Sequence, residues 1–489
     1  MLFSKLLSTA GLSPLRRRGD VEVTEVVTDS RRVRQDGCFV AVRGTQQDGH
    51  AHIGSAVKAG AAAVVCEDDA EVPASVACAV VDNTHIAAGR LAQAIRGWPV
   101  RKLDVVAVTG TNGKTTVTHL LRGILSAAGA KPALLGTISY QTGARSAAAS
   151  VTTPSPIELA EMAEEMVANG RTHLVMEVSS HALDQDRTAG LEPKVAVFTN
   201  LSGDHLDYHR TMESYLAAKR RLFEQLPPHA FAVINRDDAW GEEFATATRA
   251  DVWWYGLSPA ADVRARIDEI EAAGSRFTLI ARDARAEVST PLIGRHNVYN
   301  AVAAATAAMA LGVNIETIAS ALKEVDRVPG RLERVEVAAP YQVFVDYAHT
   351  DDALENVLGA LRPVTRGRLI VVFGCGGDRD RSKRPRMARV AESLADYMVI
   401  TSDNPRSEKP EAIIEEIVAG LSSEGKEQSA IEPDRGEAIR RAVESASAGD
   451  VVVIAGKGHE KTQIIGDERI EFDDVQEAAR AVRRRESQS

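Results

Sequence analysis

Cysteines and long apolar runs are scarce in this sequence. Its 489 residues include four cysteines, Cys38, Cys66, Cys78 and Cys375, which are scattered. They lack the paired spacing of a zinc site and are too few for a disulfide framework. No apolar stretch approaches the roughly 20 residues that a membrane-spanning helix needs, and the short apolar N-terminus predicts a surface helix rather than a signal peptide. We therefore expect a cytoplasmic protein that is not inserted in a membrane.

Positive charge is also in short supply. Lysine and arginine number 58 against 68 aspartates and glutamates, which gives a net charge of -10 and a pI near 5.7. Proteins that bind nucleic acid usually carry a net positive charge, so we expect no nucleic-acid partner. The content of 44% apolar and 26% charged residues is typical of a globular protein. A chain of this length predicts about three domains, since one hydrophobic core rarely grows so large.

The pattern of apolar segments divides the chain into three α/β domains. Residues 1–98 alternate short β-like runs with alanine-rich stretches and end at Gly97-Trp98-Pro99. Residues 99–328 contain continuous apolar strands separated by helices, a pattern typical of a buried parallel sheet. Residues 329–489 repeat this alternation on a smaller scale, and the tail at 483–489 is predicted to be disordered. The predicted strands are 38–42 and 62–65, then 104–109, 173–178, 194–199 and 231–234, then 342–346, 369–373, 397–401 and 451–455.

One loop predicts binding of ATP. The strand 104–109 leads into Gly110-Thr111-Asn112-Gly113-Lys114-Thr115-Thr116, and a helix is predicted from Val117. Glycines let such a loop turn its amide groups inward, and the helix N-terminus favours phosphate oxygens. Lys114 is expected to reach the β and γ phosphates, and Thr115 to place its hydroxyl on Mg²⁺.

Polar clusters follow three other elements of the second domain. They are Glu177–His181, Asn200–His209 and Lys219. Open α/β sheets bind ligands at the carboxyl ends of their strands, and Mg²⁺ prefers oxygen ligands. Glu177 is therefore a candidate magnesium ligand and His205 a less usual one, although a histidine after a strand is often a packing or capping residue. Taken alone, Lys219 is expected to be an exposed helix residue.

Several motifs together resemble the Mur ligases of bacterial cell-wall synthesis, along nearly the whole chain. This resemblance implies an N-terminal α/β domain for a uridine nucleotide, a central P-loop ATPase domain with a parallel sheet and a C-terminal Rossmann-like domain for an amino acid. The implied activity is ATP-dependent, ADP-forming amide synthesis by a monomer acting on small molecules. The motifs are the loop 110–116, 176–187, 200–209, 217–220, 294–300, 329–331 and 345–349.

A further segment resembles the members of this family that add 2,6-diaminopimelate. The residues Asp403-Asn404-Pro405-Arg406 are also typical of a turn. Diaminopimelate, however, is lysine with an extra carboxylate, and the guanidinium of an arginine can bind a carboxylate through two parallel hydrogen bonds. The implied reaction joins meso-diaminopimelate to the D-glutamate γ-carboxylate of UDP-N-acetylmuramoyl-L-alanyl-D-glutamate through an acyl phosphate. The implied amino-acid site comprises Arg379, Asp403, Asn404, Pro405, Arg406, Gly456 and Glu460.

The resemblance also implies the other ligand contacts. Lys219 would be a carbamylated lysine that, with Thr115, Glu177 and His205, holds two Mg²⁺ ions. The catalytic residues would be Lys114, Glu177, His205 and Lys219. Val151 and Asp351 depart from the family, which commonly has Asn and Pro there. ATP would contact residues 110–116, Asn297, Asn300, Arg331 and Asp346, and the muramoyl nucleotide would contact Ser30, Thr45, Gln46, Gln47, Thr152, Thr153, Ser179, Gln185 and Arg187.

Three alternatives stay open. The same reaction with L-lysine would not depend on Arg406. A folylpolyglutamate synthase would share the ATP core, although the first domain with Ser30 and the 403–406 segment argue against it. A binding protein without activity is disfavoured because five residues are intact, namely Lys114, Thr115, Glu177, His205 and Lys219. Binding of three substrates in separate domains further predicts closure about hinges near residues 98 and 329.

Overall fold

The computed structural model describes residues 1–44, 47–143, 145–282, 284–325 and 327–487, in which three large sheets are each covered by helices. The first sheet has the strand order β1-β5-β4-β3-β2, with β1 antiparallel and the other strands parallel. The predicted N-terminal helix forms, and its Phe3 and Leu6 are buried. The elements are β1 (Arg16–Arg18), β2 (Glu25–Val27), β3 (Gly37–Val40), β4 (Ala61–Cys66), β5 (Ala77–Val80), α1 (Phe3–Thr9), α2 (Ile53–Lys58) and α3 (Thr84–Ile95).

The second sheet carries the loop predicted to bind ATP. Its order is β16-β15-β14-β13-β12-β11-β6-β10-β7-β8-β9, and its central strands are parallel. The strands are β6 (Asp104–Thr109), β7 (Pro132–Leu135), β8 (Ser139–Gln141), β9 (Ser146–Ala148), β10 (His173–Glu177), β11 (Val195–Phe198), β12 (Phe231–Asn235), β13 (Asp251–Gly256), β14 (Val263–Glu271), β15 (Gly274–Ala281) and β16 (Ala284–Thr290). The helices are α4 (Lys114–Ala127), α5 (Pro156–Ala168), α6 (Ser180–Asp184), α7 (Leu206–His209), α8 (Met212–Glu224), α9 (Gly241–Ala247), α10 (Arg295–Ala310) and α11 (Ile315–Lys323).

The parallel sheet expected for the second domain forms its centre, while both edges of the sheet are antiparallel. β7, β8 and β9 pair antiparallel, as do β14, β15 and β16. The central strands are buried on both faces and therefore read as continuous apolar runs, as at Val105–Val108. The edge strands leave one face in contact with water, so their alternating sequences gave no such signal.

The third sheet has the order β17-β18-β22-β19-β20-β21, with β17 antiparallel and the rest parallel. The tail predicted to be disordered is helical through residue 486, where Arg485 donates to the carbonyls of Val443 and Ala446. Gln488 and Ser489 lie outside the described residues. The elements are β17 (Glu333–Arg334), β18 (Gln342–Asp346), β19 (Leu369–Phe373), β20 (Tyr397–Ile400), β21 (Ser429–Ile431), β22 (Val451–Ala455), β23 (Thr462–Ile465), β24 (Glu468–Glu471), α12 (Asp351–Leu361), α13 (Lys383–Leu394), α14 (Pro410–Val418), α15 (Ser423–Glu427), α16 (Arg435–Ser445) and α17 (Asp474–Glu486).

Candidate active site

The loop after β6 has the geometry of a phosphate site. α4 begins at Lys114, three residues earlier than predicted, so its N-terminus lies in the loop itself. Gly110 and Gly113 have φ angles of 145° and 88°, in the region that favours glycine. A Cβ at Gly110 would overlap Thr199, and one at Gly113 would overlap Asn300. The loop therefore needs glycine at both positions to pack against the end of β11 and against α10.

Lys114 folds back over this loop. Its Nζ donates to the carbonyls of Gly110 and Thr111, at 2.9 and 2.8 Å. Burial lowers the pKa of the Lys114 ammonium, which the nearby carboxylates of Glu177 and Asp204 partly offset. A rotation of this flexible side chain would carry its charge toward phosphates held by the loop.

Glu177 is a buried carboxylate held by neutral donors. Its Oε1 accepts from the Thr137 amide at 2.9 Å, and its Oε2 accepts from the hydroxyls of Thr137 and Thr115, each at 3.0 Å. Within the described residues, Glu177 forms no ion pair with a lysine or arginine, and no cluster of three or more His, Cys, Asp or Glu could alone hold a metal. Such a site fits Mg²⁺, which takes oxygen ligands from few protein groups beside substrate phosphates.

His205 lies beside Asp204, directly before α7. Its φ of 55° places it in the left-handed region, and its Nε2 is 3.4 Å from Asp204 Oδ2. Burial lowers the pKa of His205 to about 4 despite this carboxylate. The imidazole is therefore neutral at pH 7 and has a lone pair available for a metal. Asp204, which lines a cavity around the loop together with His205, was not among the predicted site residues.

Lys219 is buried, contrary to the expectation from its own sequence context. It lies on α8 with 1% of its surface exposed, donates to the Gly110 carbonyl at 2.9 Å and sits over the Tyr215 ring. Burial, followed by repulsion from Lys114, lowers the pKa of its ammonium well below the usual value. The helix periodicity of α8 could have signalled this, because Tyr215, Leu222 and Phe223 share its buried face.

Residues from two domains line one cavity of about 550 Å³ around the loop. Asn297 and Asn300 of α10 are buried there and hydrogen-bonded to each other at 3.1 Å. Asp346 accepts from the amides of Leu332 and Ala348, and burial raises the pKa of its carboxyl. Arg331 donates to the Thr115 hydroxyl at 3.1 Å, which joins the third domain to the loop.

Asp352 is a site residue that sequence reasoning missed. It lines the same cavity, and its Oδ2 accepts from the Asn112 side chain and from the Ser202 hydroxyl at 3.0 Å. Its neighbour Asp351, noted as a departure from the family, begins α12 and pairs with Arg386 at 2.9 Å. The sequence did offer a signal for Asp352, because it closely follows the segment 345–349, whose Asp346 was predicted to contact ATP.

The residues expected to hold the muramoyl peptide form a continuous group. Arg187 donates to the Gln185 side chain at 3.0 Å and to the Thr153 carbonyl at 3.3 Å. The Thr153 hydroxyl accepts from the Ser179 amide at 3.0 Å, and the hydroxyl of Thr152 is 3.1 Å from that of Thr137. Since Thr137 also holds Glu177, this group runs directly into the predicted magnesium site.

The first-domain residues predicted to contact the nucleotide lie apart from this group. Ser30 begins a 3-10 turn, and Gln47 is exposed. Within the described residues, neither side chain hydrogen-bonds to the Arg187 group. Thr45 and Gln46 lie outside the described residues. A link between the domains comes instead from His85, which sequence reasoning missed; its ring nitrogens contact the carbonyls of Arg43 and Gln185 at 2.9 and 3.1 Å.

The residues that were predicted to bind the amino acid lie close together at the ends of β19, β20 and β22. Arg406 has a left-handed φ of 52° and donates through Nη1 to the Gly377 carbonyl at 2.7 Å. Asn404 donates to Glu460 at 2.9 Å. Arg379 lies beside Arg406, since a Cβ built at Gly376 would contact both side chains. Asp403 and Pro405 complete this segment, and the Asp403 carboxylate lies against Gly456.

Two buried cations support this cluster, and neither was predicted. Lys457 has no exposed surface and lies 3.1 Å from both Asn404 Oδ1 and Glu460 Oε2. Arg435 forms a paired hydrogen bond with Asp474 and also donates to carbonyls at the ends of β20 and β22. Because Asp474 lies on α17, the C-terminal helix helps to fix the position of the amino-acid cluster.

Comparison with known proteins agrees with this geometry. Three family models match, described as Mur ligase family, catalytic domain, over residues 22–107, Mur ligase middle domain over 108–308, and Mur ligase, glutamate ligase domain, over 330–458. The chain belongs to the Mur ligase family. The expected three-domain α/β architecture of this family is confirmed, while the boundaries at 98/99 and 328/329 stay predictions.

Similar Mur ligases cover nearly the whole chain. The UDP-N-acetylmuramoyl-L-alanyl-D-glutamate--2,6-diaminopimelate ligase of Geobacter sulfurreducens is 44% identical, with 97% of this chain and 98% of that protein aligned. The enzyme of the same name from Gloeobacter violaceus is 45% identical over 100% of this chain and 99% of its own. A solved structure of an enzyme with this name superposes with a TM-score of 0.68 at 34% identity, covering 95% of both chains. In the described part of this Mur ligase, no helix is both long and apolar enough to cross a membrane.

Proposed function

We propose that this Mur ligase joins meso-2,6-diaminopimelate to the D-glutamate γ-carboxylate of UDP-N-acetylmuramoyl-L-alanyl-D-glutamate, with conversion of ATP to ADP and phosphate, in peptidoglycan precursor synthesis. The observation that carries the choice of amino acid is the cluster around Arg406. Relatives named for this reaction, at 44–45% identity over almost the entire chain, support it.

The chemistry requires no protein nucleophile. A γ-carboxylate oxygen attacks the γ-phosphorus of ATP, ADP leaves, and an acyl phosphate forms. The free amine of diaminopimelate then attacks the acyl carbon, and the tetrahedral intermediate expels phosphate as the nitrogen loses a proton. Lys114 and Arg331 would offset charge on the phosphates, while the loop amides fix their position. The cavity shared by two domains supports this role, since it can hold the reacting groups together and limit water.

Thr115, Glu177, His205 and Lys219 would hold magnesium in this scheme. Two bound Mg²⁺ ions would neutralise phosphate and carboxylate oxygens that otherwise repel one another. The buried Lys219 favours its neutral amine, which can attack CO₂ and lose a proton to give an anionic carbamate. Carbamylation would replace an ammonium group, which repels Mg²⁺, by an anionic oxygen ligand. The burial of Lys219 therefore supports the proposal that this residue is N6-carboxylysine.

Diaminopimelate brings two ammonium and two carboxylate groups to the third domain. Arg406 and Arg379 supply guanidinium groups for the carboxylate that lysine lacks, and Glu460 supplies a carboxylate for an ammonium. Ser30 and Gln47, with Thr45 and Gln46 outside the described residues, are proposed to contact the uridine nucleotide. We also propose a cytoplasmic monomer whose domains open and close about hinges near residues 98 and 329 to exchange these substrates.

The decisive assay measures ADP release with the UDP-muramoyl dipeptide and compares meso-diaminopimelate with L-lysine. We expect ADP only when ATP, the nucleotide and the amino acid are all present, with much higher kcat/KM for diaminopimelate. Mass spectrometry of the product identifies the residue added. Equal efficiency with L-lysine would overturn the proposed amino acid, and no ADP with either would overturn the ligase activity.

Small-angle scattering tests the proposed closure. Addition of an ATP analogue together with the muramoyl nucleotide is expected to lower the radius of gyration, because the protein alone would sample wider separations of its domains. A radius of gyration that is the same with and without both ligands would contradict hinge motion.

A further inference from the structure

A second cavity lies at the edge of the central sheet, outside the cavity that holds the phosphate loop. Its volume is about 540 Å³, close to the 550 Å³ of the loop cavity. It is bounded by the C-terminal half of α4, by the start of β7 and by the hairpin of β8 and β9. We call it the basic cavity, because its charged lining residues are Arg122, Lys131, Arg145 and Arg171.

The basic cavity contains no counter-charge in the part of the chain that the structure describes. None of its described lining residues is acidic. Arg145 pairs with Glu165 outside the cavity, at 2.6 Å. Arg122, Lys131 and Arg171 form no ion pair with a described carboxylate, and the side chain of Arg122 donates to the neutral Gln141. Three uncompensated cations around one cavity stand out in a chain of net charge -10.

Arg171 gives the strongest indication that a ligand belongs here. Its Nε is buried against Gly143 and has no hydrogen-bond partner among the described residues. A buried unpaired donor is costly, and for a charged group more so, which makes its retention for packing alone unfavourable. The hairpin leaves room for this guanidinium at Gly143, whose φ is 115° and whose added Cβ would overlap Arg171. Glycine at this turn therefore allows the arginine to lie along the cavity wall.

We propose that the basic cavity binds a small phosphate-bearing anion at a site separate from that for ATP. Arginine guanidinium groups form paired, charge-assisted hydrogen bonds with phosphate oxygens, and two of the lining arginines have donors to offer. The volume is in the range of small-molecule sites and admits more than a single phosphate. The anion would meet the C-terminal half of α4, where the helix dipole opposes it, so the cations must supply the attraction.

Binding of inorganic pyrophosphate to the full-length protein tests this site. The protein is first saturated with ADP in the absence of magnesium, so that the phosphate loop is occupied, and pyrophosphate is then titrated by calorimetry. We expect one bound pyrophosphate per chain. The double variant Arg122→Gln/Arg171→Gln should bind it at least about tenfold more weakly, since each lost charge-assisted hydrogen bond is worth about tenfold or more.

A matched control removes the same charge elsewhere. Arg249 and Arg285 are exposed, lie outside both cavities and form no ion pair among the described residues. Arg249→Gln/Arg285→Gln should leave pyrophosphate binding within about twofold. Equal weakening in both double variants would show diffuse attraction to surface charge and would overturn the proposal. Absence of a pyrophosphate isotherm in the unmodified protein at millimolar ligand would overturn it as well.

Folding of the variants is checked by their affinity for ADP, which should be unchanged. If the first double variant fails this check, Lys131→Gln/Arg145→Gln replaces it, because both residues line the cavity and are exposed. It should weaken pyrophosphate binding several-fold, and an unchanged isotherm would contradict the site. A parallel titration with ribose 5-phosphate separates the two sources of such a ligand: tighter binding than pyrophosphate indicates an organic phosphate, and weaker binding an inorganic one.

Discussion

Replacement of Arg406 gives the sharpest test of the amino-acid specificity. Its Nη1 is hydrogen-bonded to the Gly377 carbonyl, which fixes the guanidinium and leaves further donors for a substrate carboxylate. A charge-assisted hydrogen bond contributes about 1.5–3 kcal/mol, which corresponds to roughly 10- to 160-fold in kcat/KM. Arg406→Gln should therefore lower kcat/KM for meso-diaminopimelate by about that factor. Arg406→Lys retains the charge but loses the paired geometry, so we expect a loss of roughly tenfold.

L-Lysine supplies the internal comparison, because it lacks the second carboxylate. Its low kcat/KM should change by less than about threefold in either variant, so the ratio of the two substrates is the quantity that tests the reasoning. Arg381 is a matched control: it lies two residues before α13, is exposed and pairs with Glu408. Arg381→Gln should leave the ratio unaltered. An Arg406→Gln enzyme that loses both substrates in equal proportion, or neither, would refute carboxylate recognition by this residue.

Three further changes test the interdomain contacts, the support of the amino-acid cluster and the acid sensitivity. Asp352→Asn weakens the link to Asn112 by about 1–2 kcal/mol, so scattering should show a larger radius of gyration, and an unchanged radius contradicts this. Asp474→Asn leaves Arg435 buried without its charge partner and should destabilise the third domain by about 3–5 kcal/mol; an unaltered thermal midpoint would be evidence against it. His119 has a pKa lowered to about 4 by burial, so its stabilising effect is complete above pH 6.5 and is lost as the pH falls toward 4. In the His119→Asn variant, the free energy of unfolding should fall less steeply as the pH is lowered through that window, by up to about 1.4 kcal/mol per pH unit. Urea titrations at each pH measure this slope.

The sequence was most informative where one short segment carries both structure and chemistry. The loop 110–116 contains glycines at positions whose backbone conformation favours glycine. It also contains a lysine and a threonine on the first turn of α4. The strands β6, β18, β19 and β22 were predicted to the residue, because buried parallel strands are continuous apolar runs. Here local pattern and tertiary role coincide.

Prediction failed where a residue's environment comes from elements distant in sequence. Asp352 meets Asn112 across 240 residues, and Arg435 meets Asp474 only after α16 and α17 pack together. Nothing near Lys457 indicated that it would be fully buried against Glu460. The antiparallel edges of the central sheet were missed for a related reason, since half-exposed strands carry weak apolar signals.

Lys219 shows how such a distant contact changes chemistry. The ammonium groups of Lys114 and Lys219 both donate to the single carbonyl oxygen of Gly110, each at 2.9 Å. Two charged ammonium groups on one acceptor in a buried site repel each other, which favours the neutral form of one of them. Burial lowers both pKa values, and that of Lys219 lies well below its usual value, so the neutral form is favoured most at Lys219. The phosphate loop, through its own glycine carbonyl and its lysine, thus favours the neutral amine that the carbamate proposed for Lys219 would require.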